Sequence, residues 1–429
     1  MKIKWPNWLL SPFTINGAVG FLFWIIFYPG LFSSDSFAAI EMAKSGELSN
    51  AYTASWAIFV RLFSFFGQQI GSLTLINVLV LIYSITALSN TLFPYRVARI
   101  ASFLLCLTPG VSGIGVTLWH DIPMTSGLLF LTASLISTFK GESITKLTKI
   151  NLLLGSILVT FRPNGVPTLL LASLLLLVFF KTRTLSQSLA TIILVSTFVT
   201  LFLSYGALNQ PPINKYFSQE WMRNDISCFA ASSDEGFFER TTGIKRSLHS
   251  QWKSEEACTF LNRFTLGNDE KVTSTSYVPT TWLQLLRKEP IFVIKTHAER
   301  NAYLLPLPFF GPPNPPFLHT NIEFQDRGIG WKFEEVANDA RKYLQIWNYL
   351  RVLTGWAGLW FLLLVVATIR EKTFDFKLLT IVNFSLLIIL FIFAPIPDGR
   401  YALFTLITAQ LVTLGHIVQK LLKKRDLNV

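Results

Sequence analysis

Ten stretches of apolar residues punctuate this chain: 13–32, 70–92, 98–118, 122–139, 150–161, 166–180, 188–207, 347–369, 377–395 and 401–419. About 20 apolar residues wound as a helix match the hydrocarbon thickness of a bilayer. Inside lipid a backbone finds no water to bond, so each stretch must satisfy itself as helix. The series confines the chain to an all-α polytopic membrane protein. Two stretches, 150–161 and 166–180, are short, and Arg162-Pro163-Asn164-Gly165 joins them as a tight hairpin.

Charge then orients the spans. Charged residues are only 14% of the 429, against about 25% in soluble globular proteins. The net charge of +12 does not point to nucleic acid, because most of the excess lies in short loops between spans. Alternating from an inner N-terminus, the inner segments carry Lys2, Lys4, Arg96, Arg99, Lys140, Lys146, Lys149, Lys181, Arg183, Arg370, Lys372, Lys377, Lys420, Lys423, Lys424 and Arg425. The short outer segments carry Lys44, Arg61, Arg162 and Arg400. That asymmetry is the positive-inside pattern, and it places both termini in the cytoplasm. Lys2 and Lys4 before an apolar run mimic a signal peptide, but no small-residue cleavage site ends the run, so the expectation is an uncleaved first helix. Residues 54–66 are apolar but short and contain Arg61; they are expected as an amphipathic helix on the outer surface.

The spans divide the chain into an N-terminal transmembrane module, 1–207, an extracytoplasmic, mainly helical or irregular segment, 208–346, and a C-terminal transmembrane module, 347–429. Within the middle segment, 280–306 has the pattern of amphipathic helix broken at Pro290. Cys228 and Cys258 both fall there, where an oxidising compartment permits a disulfide. Zinc is not expected: there is no C-x-x-C and the five His are scattered.

Four polar clusters sit at span ends on the outer side of this topology: Asp35 after the first span, His120-Asp121 after the third, Arg162 and Asn164 after the fifth, and Asp398 and Arg400 after the ninth. Each has a local explanation. Asp35 and Asp121 are suited to cap helices, Arg162 to snorkel, and Asp398 with Arg400 to form an ion pair. Polar groups at membrane depth are costly and tend to face a cavity or one another. Four clusters on one face, held by Pro/Gly turns, point to a shared site.

A lipid-linked phosphosugar suits such a site, with its tail in the bilayer and its phosphate at headgroup level. A guanidinium fork binds phosphate oxygens bidentately, and that bond strengthens as the phosphate departs with growing charge. A carboxylate beside an acceptor hydroxyl takes its proton. Direct attack then inverts the anomeric carbon.

The order Tyr28-Pro29-Gly30 with Asp35 five residues on, "LWHDIP" (118–123), "RPNG" (162–165) and "PDGRY" (397–401) resembles that of bacterial GT-C-fold glycosyltransferases, relatives of protein O-mannosyltransferases and aminoarabinose transferases. The resemblance covers about 1–207 and 347–419. It implies a GT-C-like bundle of about ten helices with outer juxtamembrane helices, a polyprenyl-phosphate-linked sugar donor, and a glycan, lipid or protein acceptor, in the plasma (inner) membrane. It implies Asp35 as catalytic base, Arg400 on the carrier phosphate, Arg162 and Asn164 along the donor cavity, and Asp121 near sugar or acceptor. Asp398 belongs to the Arg400 motif. His120 stands where relatives often carry Lys, and would bind phosphate only when protonated. Ser34-Asp35-Ser36 stands where many relatives carry paired acids, so no tightly held metal is implied, and a weakly bound divalent cation stays open. Two other readings compete. An O-antigen-ligase or polymerase-like enzyme would work through His249, His297, Arg300 and His319 of the middle segment. A lipid or solute transporter or flippase would want ionisable groups at mid-membrane.

Overall fold

A computed structural model describes residues 11–46, 52–140, 145–180, 183–208, 220–253, 277–305, 331–350, 355–394 and 399–426. Each of the ten apolar segments carries helix among its described residues. The N-terminal part contributes α1 (Pro12–Ile26), α2 (Ser34–Ser45), α3 (Ala54–Phe63), α4 (Ile70–Leu92), α5 (Tyr95–Cys106), α6 (Asp121–Phe139), α7 (Lys146–Val159), α8 (Gly165–Phe179) and α9 (Arg183–Leu208). Then come α10 (Glu220–Ser232), α11 (Glu235–Thr242), α12 (His249–Trp252), α13 (Tyr277–Lys288), α14 (Pro290–Arg300) and α15 (Glu334–Tyr349). The chain closes with α16 (Ala357–Glu371), α17 (Phe374–Phe393) and α18 (Leu403–Asp426). Among the described residues there is no sheet; Leu31 and Thr117 form a single parallel bridge.

The protein is an all-helical membrane protein. Four stretches, α4, α6, α17 and Arg400–Arg425, are long and apolar enough to cross a bilayer, while α1 and α8 are apolar but shorter. Helix length alone therefore carries four crossings rather than ten among the described residues. The expected span 98–118 is not one helix. It stops at Cys106, turns through a π-helical loop at Pro109–Gly113, and reaches Thr117 as extended chain. Pro109 cannot donate a helical hydrogen bond, which accounts for the break.

Local chemistry sets the helix ends. Ser11 accepts from Thr14 N–H at 3.2 Å before Pro12, and Thr53 accepts from Trp56 N–H at 3.3 Å, both ordinary N-caps. Gly46 closes α2 at φ +79°, where a Cβ would be strained. Asn16, fully buried on α1, donates to Thr86 of α4 and Ser102 of α5, each at 2.9 Å. These two donated bonds join three helices and satisfy the Asn16 NH2 in the interior.

The amphipathic stretch around Pro290 is two helices, α13 and α14, which meet at that proline. With α10 to α12 they enclose their own core of Ile226, Phe238, Trp252 and Leu285. This cluster is tied to the bundle by Trp356 Nε1–H to Leu305 C=O at 2.7 Å. α15 and the chain before it are tied to the bundle separately, by Tyr343 O–H to Leu107 C=O at 2.6 Å and Lys332 N–H to Tyr28 C=O at 3.0 Å.

Candidate functional site

The loop after α1 is sewn to the chain entering α6. Leu31 N–H donates to Val116 C=O, and Leu118 N–H to Leu31 C=O, each at 3.0 Å. Gly30 permits this approach: its φ is +143°, and a Cβ there would lie 2.5 Å from Thr74 Cγ2 and 3.0 Å from Val116 O. Trp119 Nε1–H donates to Ser33 Oγ at 2.7 Å, and Ser36 O–H to Leu118 C=O at 2.9 Å. Ser33 is the N-cap of α2, and its N–H donates to Ser36 Oγ at 2.9 Å, one arm of a capping box. Asp35 therefore does not cap the helix. It rides in the first turn, where the helix dipole favours a carboxylate, and its side chain is 34% exposed.

Four charged groups converge here. Arg400 Nη2 donates to Asp35 Oδ2 at 2.5 Å, and Arg400 Nε lies 3.9 Å from Asp121 Oδ2. Asp121 is wholly buried at the start of α6, and its other oxygen pairs with Arg162. Arg162 is thus not a snorkelling arginine: it is buried in an ion pair and lies over the Tyr401 ring, 3.8 Å from its centroid. Arg400 lies over Trp119 at 4.9 Å. Carboxylates and guanidiniums alternate as Asp35, Arg400, Asp121, Arg162, drawn from α2, the 3₁₀ turn Gly399–Ala402 before α18, α6 and the α7–α8 turn. Asn164 sits just before α8, its Oδ1 buried and without a hydrogen-bond partner among the described residues. Asp398 lies outside the described residues.

His120 is buried beside this tetrad, with Tyr52 edge-on at 5.5 Å and Trp56 at 6.1 Å between ring centroids. Burial, then the Arg162 and Arg400 cations, hold its pKa well below the ordinary histidine value. At neutral pH it carries no charge, and binding a phosphate there would require it to take up a proton against both guanidiniums. Tyr52 O–H donates to the Asp35 backbone C=O at 3.0 Å; burial and then the Asp35 charge push its hydroxyl pKa upward. The aromatic walls were missed in the sequence. Trp119 and Tyr401 flank charged motif residues, a signal that was visible; Tyr52 had none.

A second buried cluster lies in the middle segment. Asp225 accepts from Trp282 Nε1–H and pairs with Arg300 Nη2, both at 2.8 Å, with His297 Nδ1 at 3.4 Å. Burial raises the Asp225 pKa, but Arg300 and His297 overcome it and hold the carboxyl below its usual range. His297 Nε2 and Asn301 Nδ2 reach the Phe391 C=O in the last turn of α17. His297 and Arg300, through which the ligase reading would work, are thus engaged between helices. His249 Nε2 bonds the Ala230 C=O at 2.9 Å, and His319 lies outside the described residues. Cys228 is disulfide-bonded and Cys106 is free and buried; Cys258 lies outside the described residues. No group of three metal-ligating side chains occurs among the described residues.

No protein-family model and no curated protein matches this sequence. Among solved structures, the chain is similar to the Archaeoglobus fulgidus oligosaccharyltransferase in its apo form, at 14% identity and TM-score 0.48 over 98% of this chain and 52% of that one. It is similar also to AglB of that organism with an inhibitory peptide and a dolichol-phosphate, at 14% and 0.46 over 98% and 51%. A third is apo ArnT from Cupriavidus metallidurans, at 13% and 0.40 over 96% and 78%. These are GT-C-fold glycosyltransferases, the class that the motifs resemble. This chain spans about half the length of the archaeal enzyme. Likeness at this level assigns no residue and no substrate.

Proposed function

We propose that this protein is an inverting glycosyltransferase that moves a sugar from a polyprenyl-phosphate carrier to an acceptor hydroxyl at the extracytoplasmic face of the plasma membrane. The observation that carries this reading is the meeting of Asp35 and Arg400 from opposite ends of the chain, in a cluster that leaves Asp35 one-third open to its surroundings. A base and a phosphate ligand are needed within one sugar's breadth of each other, and few other chemistries ask for that pair at a membrane surface. The positive-inside pattern supports the sidedness.

In this reading Asp35 takes the proton from the acceptor hydroxyl as its oxygen bonds to the anomeric carbon. The bond from that carbon to the phosphate oxygen breaks, and its electron pair leaves with the phosphate. Arg400 meets the charge that grows there. Asp35 then passes its proton to water. Arg162, locked to Asp121, holds Arg400 and the Tyr401 ring in register, and Asn164 lends an unmet amide oxygen to the donor side. Neutral His120 with Tyr52 forms a wall against which a sugar face can lie. The segment 208–346 shapes the acceptor side.

The test is reconstitution of the purified protein with a panel of polyprenyl-phosphate sugars, with wild type compared to Asp35→Asn. Transfer by wild type and its loss in Asp35→Asn is the expected result. Transfer at the wild-type rate by the variant would remove Asp35 from the role of base.

A further inference from the structure

Asp35 Oδ2 is already held by Arg400 in the resting protein, at 2.5 Å. A base and a phosphate ligand that hold each other are each unready for their task. We infer that the carrier phosphate activates the site by exchange: it takes Arg400 from Asp35 and so releases the carboxylate. This rests on the reading of the site as a polyprenyl-phosphate site and adds its regulation.

Three features decide which bond exchanges. First, the tetrad of Asp35, Arg400, Asp121 and Arg162 is neutral as a group, so an arriving anion must compete for a guanidinium that a carboxylate holds. Second, the two carboxylates differ in what they can fall back on. Asp121 is 0% exposed and would be stranded without its arginines, whereas Asp35 is 34% exposed and can be met by water. A buried charge that loses its partner is strongly disfavoured; a partly exposed one is not. Third, Arg162 is held against wholly buried Asp121 and the Tyr401 ring, whereas Arg400, itself 11% exposed, is bonded to the exposed carboxylate and lies 3.9 Å from Asp121, so Arg400 is the guanidinium that can turn. Trp119 and Tyr401 lie against it at 4.9 and 5.4 Å; an aromatic face keeps a cation near while its hydrogen bonds change partner.

The consequence is ordered chemistry. Before the carrier binds, Asp35 Oδ2 is engaged by the guanidinium; once the phosphate holds Arg400, both carboxylate oxygens can meet an acceptor hydroxyl. After transfer, ionised Asp35 competes again for Arg400 and helps expel the carrier phosphate.

The inference predicts an effect that simple removal of a site residue would not give: Asp35→Asn should bind the spent carrier more tightly. The measurement is calorimetric or thermophoretic titration of the full chain with a short-chain polyprenyl monophosphate, with the matching polyprenol as the phosphate-free control. Asp35→Asn, and Asp35→Ser as a second variant with a different side chain, should both bind roughly three- to tenfold tighter than wild type, a span that begins within the range of exposed ion-pair coupling and ends above it. The polyprenol should bind all three alike. Unchanged or weaker binding of the phosphate by both variants overturns the exchange and leaves the carrier reading standing. Absence of binding to wild type and variants overturns the carrier reading, and the exchange with it.

Discussion

Asp121 and Arg162 form an ion pair closed to water, their side chains 0% and 8% exposed, although one begins α6 and the other lies in the turn between α7 and α8. Desolvating two such charges costs several kcal/mol per ion, and the attraction between them does little more than offset that. The pair is therefore weak as a source of stability, but either charge left alone is expensive. Asp121→Ala and Arg162→Ala should each destabilise the protein by about 3–5 kcal/mol. The double substitution should cost clearly less than their sum. Thermal unfolding in detergent, followed by tryptophan fluorescence, checks this; an additive double variant would show that the two charges are not coupled.

The site also depends on how closely two helices pass. α6, which begins at Asp121, crosses α7, which leads to Arg162, at Gly127 and Gly155. A Cβ on Gly127 would lie 2.8 Å from the Gly155 carbonyl oxygen and 2.9 Å from the Val159 nitrogen, backbone atoms that cannot turn aside. Gly127→Ala should force the helices apart, cost about 1–3 kcal/mol, and lower glycosyl transfer as the buried ion pair lengthens. A variant as stable and active as wild type would show that the crossing tolerates the methyl group.

How much of this was legible beforehand follows from the kind of signal each feature leaves. Helical segments with apolar character leave a strong one, and each of the ten carries helix. The break after Cys106 did not show, because its residues are as apolar as a span and only Pro109 marks it. Asp35, Asp121, Arg162 and Arg400 stood out as charges at the ends of apolar runs, where a charge has few innocent explanations. Their pairing did not stand out: Arg400 is 365 residues from Asp35, and nothing in sequence spacing says which carboxylate a guanidinium will choose. The Asp225 cluster was equally hidden, because within a hydrophilic segment a charge is unremarkable until the fold buries it.

That cluster gives a test that separates the two enzymatic readings. Arg300 is 3% exposed and pairs with Asp225, which is wholly buried. Arg300→Ala should lower stability by about 3–5 kcal/mol by stranding Asp225, yet retain turnover per folded molecule within a few-fold, since no step of the proposed reaction passes through it. Unfolding and steady-state kinetics on the same preparation check both halves. Loss of turnover by orders of magnitude in a protein of wild-type stability would favour the ligase-like reading.

The last expectation concerns pH, through His120. Burial and two arginines hold its folded pKa well below the ordinary value, about 6.5, which the unfolded chain recovers. Between those two values the unfolded state binds the extra proton and the folded state does not. Stability must then rise with pH across that window, reach its full value above about pH 6.5, and fall as the pH drops toward the folded pKa, by at most about 1.4 kcal/mol per pH unit for one proton. His120→Gln removes this titration and keeps a polar side chain of similar reach. Unfolding midpoints measured from pH 8 to 5 should therefore show a constant gap between wild type and His120→Gln above pH 7, changing in the variant's favour below 6.5. Parallel curves over the whole range would mean that His120 takes up its proton in the folded protein, which the two guanidiniums beside it oppose.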